Sequence, residues 1–396
     1  MQSLFFIIAF CCIIGHIQND LVSPTFPQII NSYNITPKLL HFASSSYVVG
    51  VSIGGIFWGA ISDYVGRKKI LLTGLSILSL GCFCTIFASN IYYLIFFRFV
   101  NGIGTAAPVI ICVAIIFDHY EKSKAKSIVG SINAILTFSK SIAPIIGGYL
   151  SLLINWKLNF LFITINTLFA IYLVARFIQE TSPKINTSPQ IHLTKNLHQI
   201  FNNYIILLSN KIMVAYLFIL GFMACSMITY TLSASIIYIN YLGVSNDVFG
   251  YHQGIVWAFF GIFCLLTHYI LRFLSISNTK MIGFALIISG CVLLNYTSYI
   301  FMSPLLITLS MTFYSSGFAI LTTILFSEAM SLYSHIKGAS SSMITFIRTL
   351  LTTINTLITG YFFNGTIIPL TITITILVCC KIILYFIFLY KIDYRN

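Results

Sequence analysis

Few side chains in this chain carry charge into apolar sequence, and Asp20 is the first of them. It lies past the middle of an apolar run over approximately 3–30, with His16 one turn earlier on the same helical face and Pro24 and Pro27 four and seven residues on. An ionised group at a bilayer centre costs about 2.5–3.5 kcal/mol on insertion scales, so it needs a partner or a water-filled cavity. Two readings are open: a carboxylate that alternately binds a proton and a substrate, or one near the outer interface that only hydrogen-bonds. The prolines predict a kink in the outer end of this helix.

Arg98 is the second such group, in Leu94-Ile95-Phe96-Phe97-Arg98-Phe99-Val100-Asn101-Gly102-Ile103-Gly104. A guanidinium does not lose its proton in a protein. Its chemistry is therefore to hold a neighbouring carboxylate ionised and release it when helices move, or simply to form a structural ion pair. Lys140 shares a helical face with Asn133 and Thr137, a polar stripe that would line a cavity and favour anionic or polar neutral ligands; a snorkelling lysine is the alternative. Further on, Ser341, Thr345, Arg348, Thr352 and Asn355 share one face, and Glu328 could pair with Arg348 or sit at the interface. Tyr216, Met223, Met227 and Tyr230 repeat at helical spacing, as an adaptable binding wall or as packing.

The elements that position these groups must be transmembrane helices. Charged residues make up 7% of 396 and hydrophobic ones 58%, with a mean hydropathy of +0.96, whereas soluble domains are about 25% charged. A span needs about 20 apolar residues. The expectation is an all-α membrane protein with twelve helices, near 3–30, 43–62, 70–89, 92–117, 127–153, 158–178, 211–238, 250–271, 280–300, 304–329, 340–362 and 367–390. A polar stretch after the sixth divides the chain into six-helix bundles at 1–180 and 211–396 joined by a linker at 181–210. No residue-level repeat between the halves is evident. With both termini cytoplasmic, fifteen of the 21 basic residues, Lys280 among them, fall in inside loops and two outside, as expected where positive charge is retained. The net charge of +13 thus needs no nucleic acid. The ten cysteines all sit in apolar runs without CxxC or metal spacing, so no metal site is expected.

Three motifs carry a resemblance. Gly59-Ala60-Ile61-Ser62-Asp63-Tyr64-Val65-Gly66-Arg67-Lys68-Lys69 resembles the loop between helices 2 and 3 of the major facilitator superfamily. Asp20-Leu21-Val22-Ser23-Pro24-Thr25-Phe26-Pro27 resembles the first helix of its bicyclomycin and chloramphenicol resistance branch, although Val22-Ser23-Pro24 stands where Tyr-Leu-Pro is usual. Ala143-Pro144-Ile145-Ile146-Gly147-Gly148 resembles the antiporter motif G-P-x-x-G-G, with Ala for the first Gly. Ser233-Ala234-Ser235 and Glu180-Thr181 are similar to the same family, with Ile236 in place of a usual Pro.

The resemblance implies a major facilitator fold and a non-enzymatic, proton-coupled efflux transporter of drugs or other small amphipathic molecules, working by alternating access. The alternative is a same-fold importer or exporter of one metabolite. Asp20, His16 and Arg98 would couple protons to substrate. Asp63 would latch the two halves against the start of helix 11, with Arg67, Lys68 and Lys69 at the lipid surface. No cofactor is implied: a Walker A sequence is absent, and the proton gradient would supply the energy. The expected setting is a bacterial inner membrane, with lipid, protons and substrate as partners, no nucleic acid, and a monomer.

Overall fold

The computed structural model describes residues 2–181, 204–333 and 337–390, and no strand occurs among them. The first helix, α1 (Gln2–Val22), gives way to a 3-10 turn at Ser23–Thr25 and resumes as α2 (Phe26–Tyr33). Then follow α3 (Pro37–Val65), α4 (Arg67–Ile86), α5 (Ile91–His119), α6 (Lys122–Leu153) and α7 (Lys157–Phe177). The later helices are α8 (Lys211–Ser235), α9 (Asn246–Phe273), α10 (Ile276–Tyr299), α11 (Pro304–Leu332), α12 (Lys337–Phe362) and α13 (Ile367–Leu384). Both α8 and α13 run on into π-helical segments, Ile236–Tyr241 and Tyr385–Leu389.

Local sequence sets the ends. Pro37 and Pro304 occupy first helical turns, where the missing N–H costs nothing. The Asn90 and Ser275 side chains cap α5 and α10 by accepting from the Tyr93 and Asn278 amides.

Eleven helical spans among the described residues are long and apolar enough to cross a bilayer. The expected twelfth, α12, has the length at 26 residues but falls short in hydropathy because a polar stripe runs along it. The chain forms two compact units, Met1–Pro189 with Ala234–Gly254, and Gln190–Ser233 with Ile255–Asn396. Of the expected linker at 181–210, residues 182–203 lie outside the described residues and 204–209 are helical.

Packing follows membrane rules: large apolar side chains such as Leu80 and Phe273 are exposed, while Asn101, Asn159, Gln253 and Lys381 are buried. Helices in lipid associate by close backbone approach and polar contacts. In the first unit Gly74 of α4 meets Gly104 and Ala107 of α5, and Gly81, seven residues on, meets Asn101. In the second unit Gly283 of α10 meets Ile320 and Leu321 of α11, Gly317 lies on the Gly283 carbonyl, and Gly290, again seven on, meets Tyr314. A residue-level repeat therefore exists, with Gly104 and Asn101 answered by Gly317 and Tyr314. It extends to Leu78 and Ile287, whose backbone nitrogens face Gly104 and Gly317.

Candidate functional site

Asp20 sits one turn before the helix breaks, and the break has a local cause. Pro24 has no N–H to give to the Asp20 carbonyl. The Ser23 hydroxyl donates to that carbonyl instead, at 3.0 Å, and Thr25 Oγ1 donates to the Val22 carbonyl at 2.7 Å. The Leu21 carbonyl receives Asn159 Nδ2 from α7 at 3.0 Å, and the same amide donates to the Gly147 carbonyl at 3.1 Å. Gly147 lies directly on the Leu21 backbone, where a Cβ would overlap the carbonyl oxygen. The turn carrying Asp20 is thus pinned to α6 and α7. Asp20 is 4% exposed, so it is buried within the protein.

Arg98 of α5 is 2% exposed. Its Nη2 donates to Asn19 Oδ1 at 2.8 Å, and its guanidinium carbon lies 4.6 Å from the centroid of the Tyr47 ring on α3. Asp20 lies within electrostatic reach of that same tyrosine. Sequence reasoning expected Arg98 to hold a carboxylate. The structure gives it an amide and an aromatic face, with no ion pair to Arg98 among the described residues. Arg98 Nη1 and both polar atoms of the buried Gln18 amide also have no hydrogen-bond partner among the described residues. Such atoms are costly to leave dry, so the site has unused capacity for a proton carrier, water or a polar ligand. His16 is partly buried, with Nδ1 2.9 Å from the Cys12 carbonyl.

Ala143 and Pro144 are buried in α6, and the motif they open continues into close contact with the first turns of α9. Gly148 faces the Asn246 carbonyl, Gly250 faces Pro144, and Gly254 faces Ser141. Asn246 Nδ2 donates to Ser151 Oγ at 2.9 Å, and the Tyr149 and Tyr251 hydroxyls meet at 2.8 Å. The stripe on the same helix is less enclosed: Asn133 is exposed, and Thr137 and Lys140 are partly so.

At the α3–α4 turn, Gly66 takes φ +110°, a conformation that L side chains rarely adopt. Arg67 Nε pairs with Asp118 Oδ2 of α5 at 3.0 Å, while its Nη1 reaches Ser62 Oγ, whose own proton goes to the Gly59 carbonyl. Glu180 caps α4: its carboxylate oxygens accept from the Arg67 and Lys68 amides at 2.7 and 3.2 Å, where a helix N-terminus favours negative charge. Lys68 Nζ donates to the Ala175 carbonyl at 2.9 Å. The Asp63 side chain lies outside the described residues, and with it the proposed latch. Sequence reasoning had missed Asp118, Asn159 and the capping role of Glu180, whose partners are distant in the chain.

In the second unit the expected pairing of Glu328 with Arg348 is replaced by another. Glu328 Oε1 pairs with Lys280 Nζ at 2.7 Å, and Oε2 accepts from the Tyr216 hydroxyl at 3.0 Å. Lys280 is not a loop cation; it lies in the second turn of α10 and is fully buried. Arg348 is exposed on α12 with no ion pair among the described residues. Thr352 and Asn355 on its face are tied to α8, through Cys225 and through Thr229 Oγ1 at 2.6 Å. Tyr216, Met223, Met227 and Tyr230 are all buried.

The sequence profile of the Major Facilitator Superfamily matches residues 8–356 of this chain. A bicyclomycin resistance protein homolog of Haemophilus influenzae is 30% identical over 232 residues, 59% of this chain and 57% of that protein, so the match spans under two thirds of the relative's length. The chloramphenicol resistance protein CraA of Acinetobacter baumannii is 22% identical over 280 residues, 70% of this chain and 66% of that one. The crystal structure of a D-xylose-proton symporter superposes with a TM-score of 0.79, covering 98% of this chain and 97% of that chain at 15% identity, a likeness of fold.

Proposed function

The chain belongs to the Major Facilitator Superfamily, and on that premise we propose that it is a proton-coupled exporter of small amphipathic molecules, with Asp20 as the group that trades a proton for substrate. It has the all-α major facilitator fold and is a multi-pass membrane transporter, not an enzyme. The observation that carries the reading is the burial of Asp20 at a pinned helix break, within electrostatic reach of Tyr47, whose ring also meets Arg98. Resistance proteins among its relatives support export of drug-like molecules.

In this cycle the inward-facing protein takes up substrate as Asp20 gives up its proton, and Arg98 stabilises the resulting carboxylate through the shared tyrosine. In the outward-facing protein a proton from outside neutralises Asp20, the attraction lapses, and the substrate leaves. The proton gradient supplies the energy and no cofactor is required. The setting is a bacterial inner membrane with both termini cytoplasmic, and the protein acts as a monomer.

The test is ethidium and chloramphenicol efflux from cells stripped of their own pumps, with and without a protonophore. Protonophore-sensitive efflux that falls at least tenfold in Asp20→Asn is the expected result. Efflux unchanged in Asp20→Asn would remove Asp20 from the coupling role. Accumulation of a metabolite without efflux of any compound would replace export by uptake.

A further inference from the structure

The second unit buries a cation that the coupling scheme above does not use. Lys381 of α13 is 1% exposed. Its Nζ donates to Ser226 Oγ of α8 at 3.2 Å and to the Tyr314 hydroxyl of α11, and it lies 4.8 Å from the centroid of the Tyr314 ring. The thiols of Cys225 on α8, Cys291 on α10 and Cys380 on its own helix are within electrostatic reach. Thr352 of α12 enters this layer only through Cys225. The one carboxylate on the described residues of this unit, Glu328, lies fourteen residues beyond Tyr314 on α11, about 21 Å along the helix, and is engaged by Lys280 and Tyr216.

The two buried lysines of this unit are therefore held in opposite ways. Lys280 faces a carboxylate, which only accepts hydrogen bonds. Lys381 faces hydroxyls, which accept from an ammonium and donate equally well to a neutral amine. Its site suits both protonation states.

The internal repeat gives the same layer a counterpart. Tyr314 occupies the place of Asn101, and Arg98 lies one turn before Asn101. Cys82, one residue beyond Gly81, is within electrostatic reach of Arg98, just as Cys291, one beyond Gly290, is of Lys381. Each unit thus buries a cation within reach of the thiol that follows its second seam glycine.

A polar ladder reaches Lys381 from the end where α13 begins. Ser298 Oγ meets Thr371 Oγ1 at 2.6 Å, Asn295 Nδ2 donates to Thr375 Oγ1 at 3.0 Å, and Cys291 Sγ lies 3.6 Å from Thr375 Oγ1.

From these contacts we infer that Lys381 is a second proton-exchange site, served by the α10–α13 seam. The ammonium passes one proton to water entering along that seam, giving a neutral amine and a hydronium ion. The Tyr314 hydroxyl, until then an acceptor, turns to donate to the amine. The return step reverses each transfer. The inference rests on proton-coupled transport for its purpose, but not for its first test.

That test uses the full-length protein carrying ε-13C-lysine in detergent. The resonance missing from both Lys381→Met and Lys381→Arg should move between pH 6 and pH 9 in the wild type. A Lys381 resonance that stays fixed over this range overturns the inference. The second measurement is ethidium–proton exchange in proteoliposomes. Lys381→Met and Lys381→Arg, which cannot release a proton, should each lower it at least tenfold, and Thr375→Val should slow it severalfold, with melting temperatures near that of wild type. Exchange at wild-type rates in both Lys381 variants overturns the role in transport. Should the wild type exchange no protons for ethidium, proton-coupled export of this probe fails, and the resonance still decides whether Lys381 exchanges its proton.

Discussion

Intramembrane charge is legible in a sequence because its cost demands a reason, and Asp20 and Arg98 stood out on that ground. Their partners did not, since which side chain a buried charge meets depends on helix rotations that no local pattern records. Glu328 shows the consequence: it shares no helix with Arg348 or with Lys280, and only the packed bundle selects Lys280. That selection has an asymmetric cost. The Glu328 side chain keeps 24% exposure, whereas that of Lys280 keeps none. Removing the partner of a buried charge costs about 3–5 kcal/mol, and exposure relieves it. Glu328→Gln takes the carboxylate from a fully buried ammonium and should therefore lower the melting temperature clearly more than Lys280→Met, which leaves a carboxylate that is partly exposed. Thermal melting of both variants in one detergent checks this, and equal losses would mean that the ammonium finds another acceptor.

At the level of helices, hydropathy and proline placed most of what the structure shows. The break at Ser23–Thr25 follows from Pro24 and Pro27, and the helical spans follow from apolar length. The π-helical end of α8 had no such signal, since Ile236 only stands where relatives were expected to have proline. Motif glycines look alike in sequence but differ in what surrounds them. Gly147 lies on the Leu21 backbone, while the nearest atom to a Cβ at Gly59 is an Ile110 methyl at 3.7 Å, ordinary contact. Gly147→Val should drive α1 and α6 apart, breaking the Asn159 bridge and abolishing transport. Gly59→Ala should fold normally and gain about 0.5–1 kcal/mol from lost backbone freedom in the unfolded chain. Expression, melting and efflux of the two variants, measured side by side, test the distinction; a stable, active Gly147→Val would refute the close approach.

Across the whole chain, the internal repeat was hidden from the sequence for a physical reason. From Gly81 to Asn101 the chain runs twenty residues, and from Gly290 to Tyr314 it runs twenty-four; the turns between hold four residues each, so the extra four lengthen α10 beyond Gly290 and shift the second helix of each pair out of register. The matching positions are mostly glycines and neighbours whose backbones, not side chains, make the contact. Each repeat belongs to a separate compact unit, and each carries a buried thiol beside its glycine seam, Cys82 at 0% exposure and Cys291 at 6%. A β-branched residue at Gly104 would press on the Leu78 backbone, and one at Gly317 on the Gly283 carbonyl. Gly104→Val should therefore open the α4–α5 seam and make Cys82 reactive toward a maleimide while Cys291 stays protected, and Gly317→Val should do the converse. Mass spectrometry of labelled peptides reads both thiols in one sample. Selective labelling would show that each unit's seam is stabilised within that unit; labelling of both thiols in either variant would show that the seams open together, as one cooperative body.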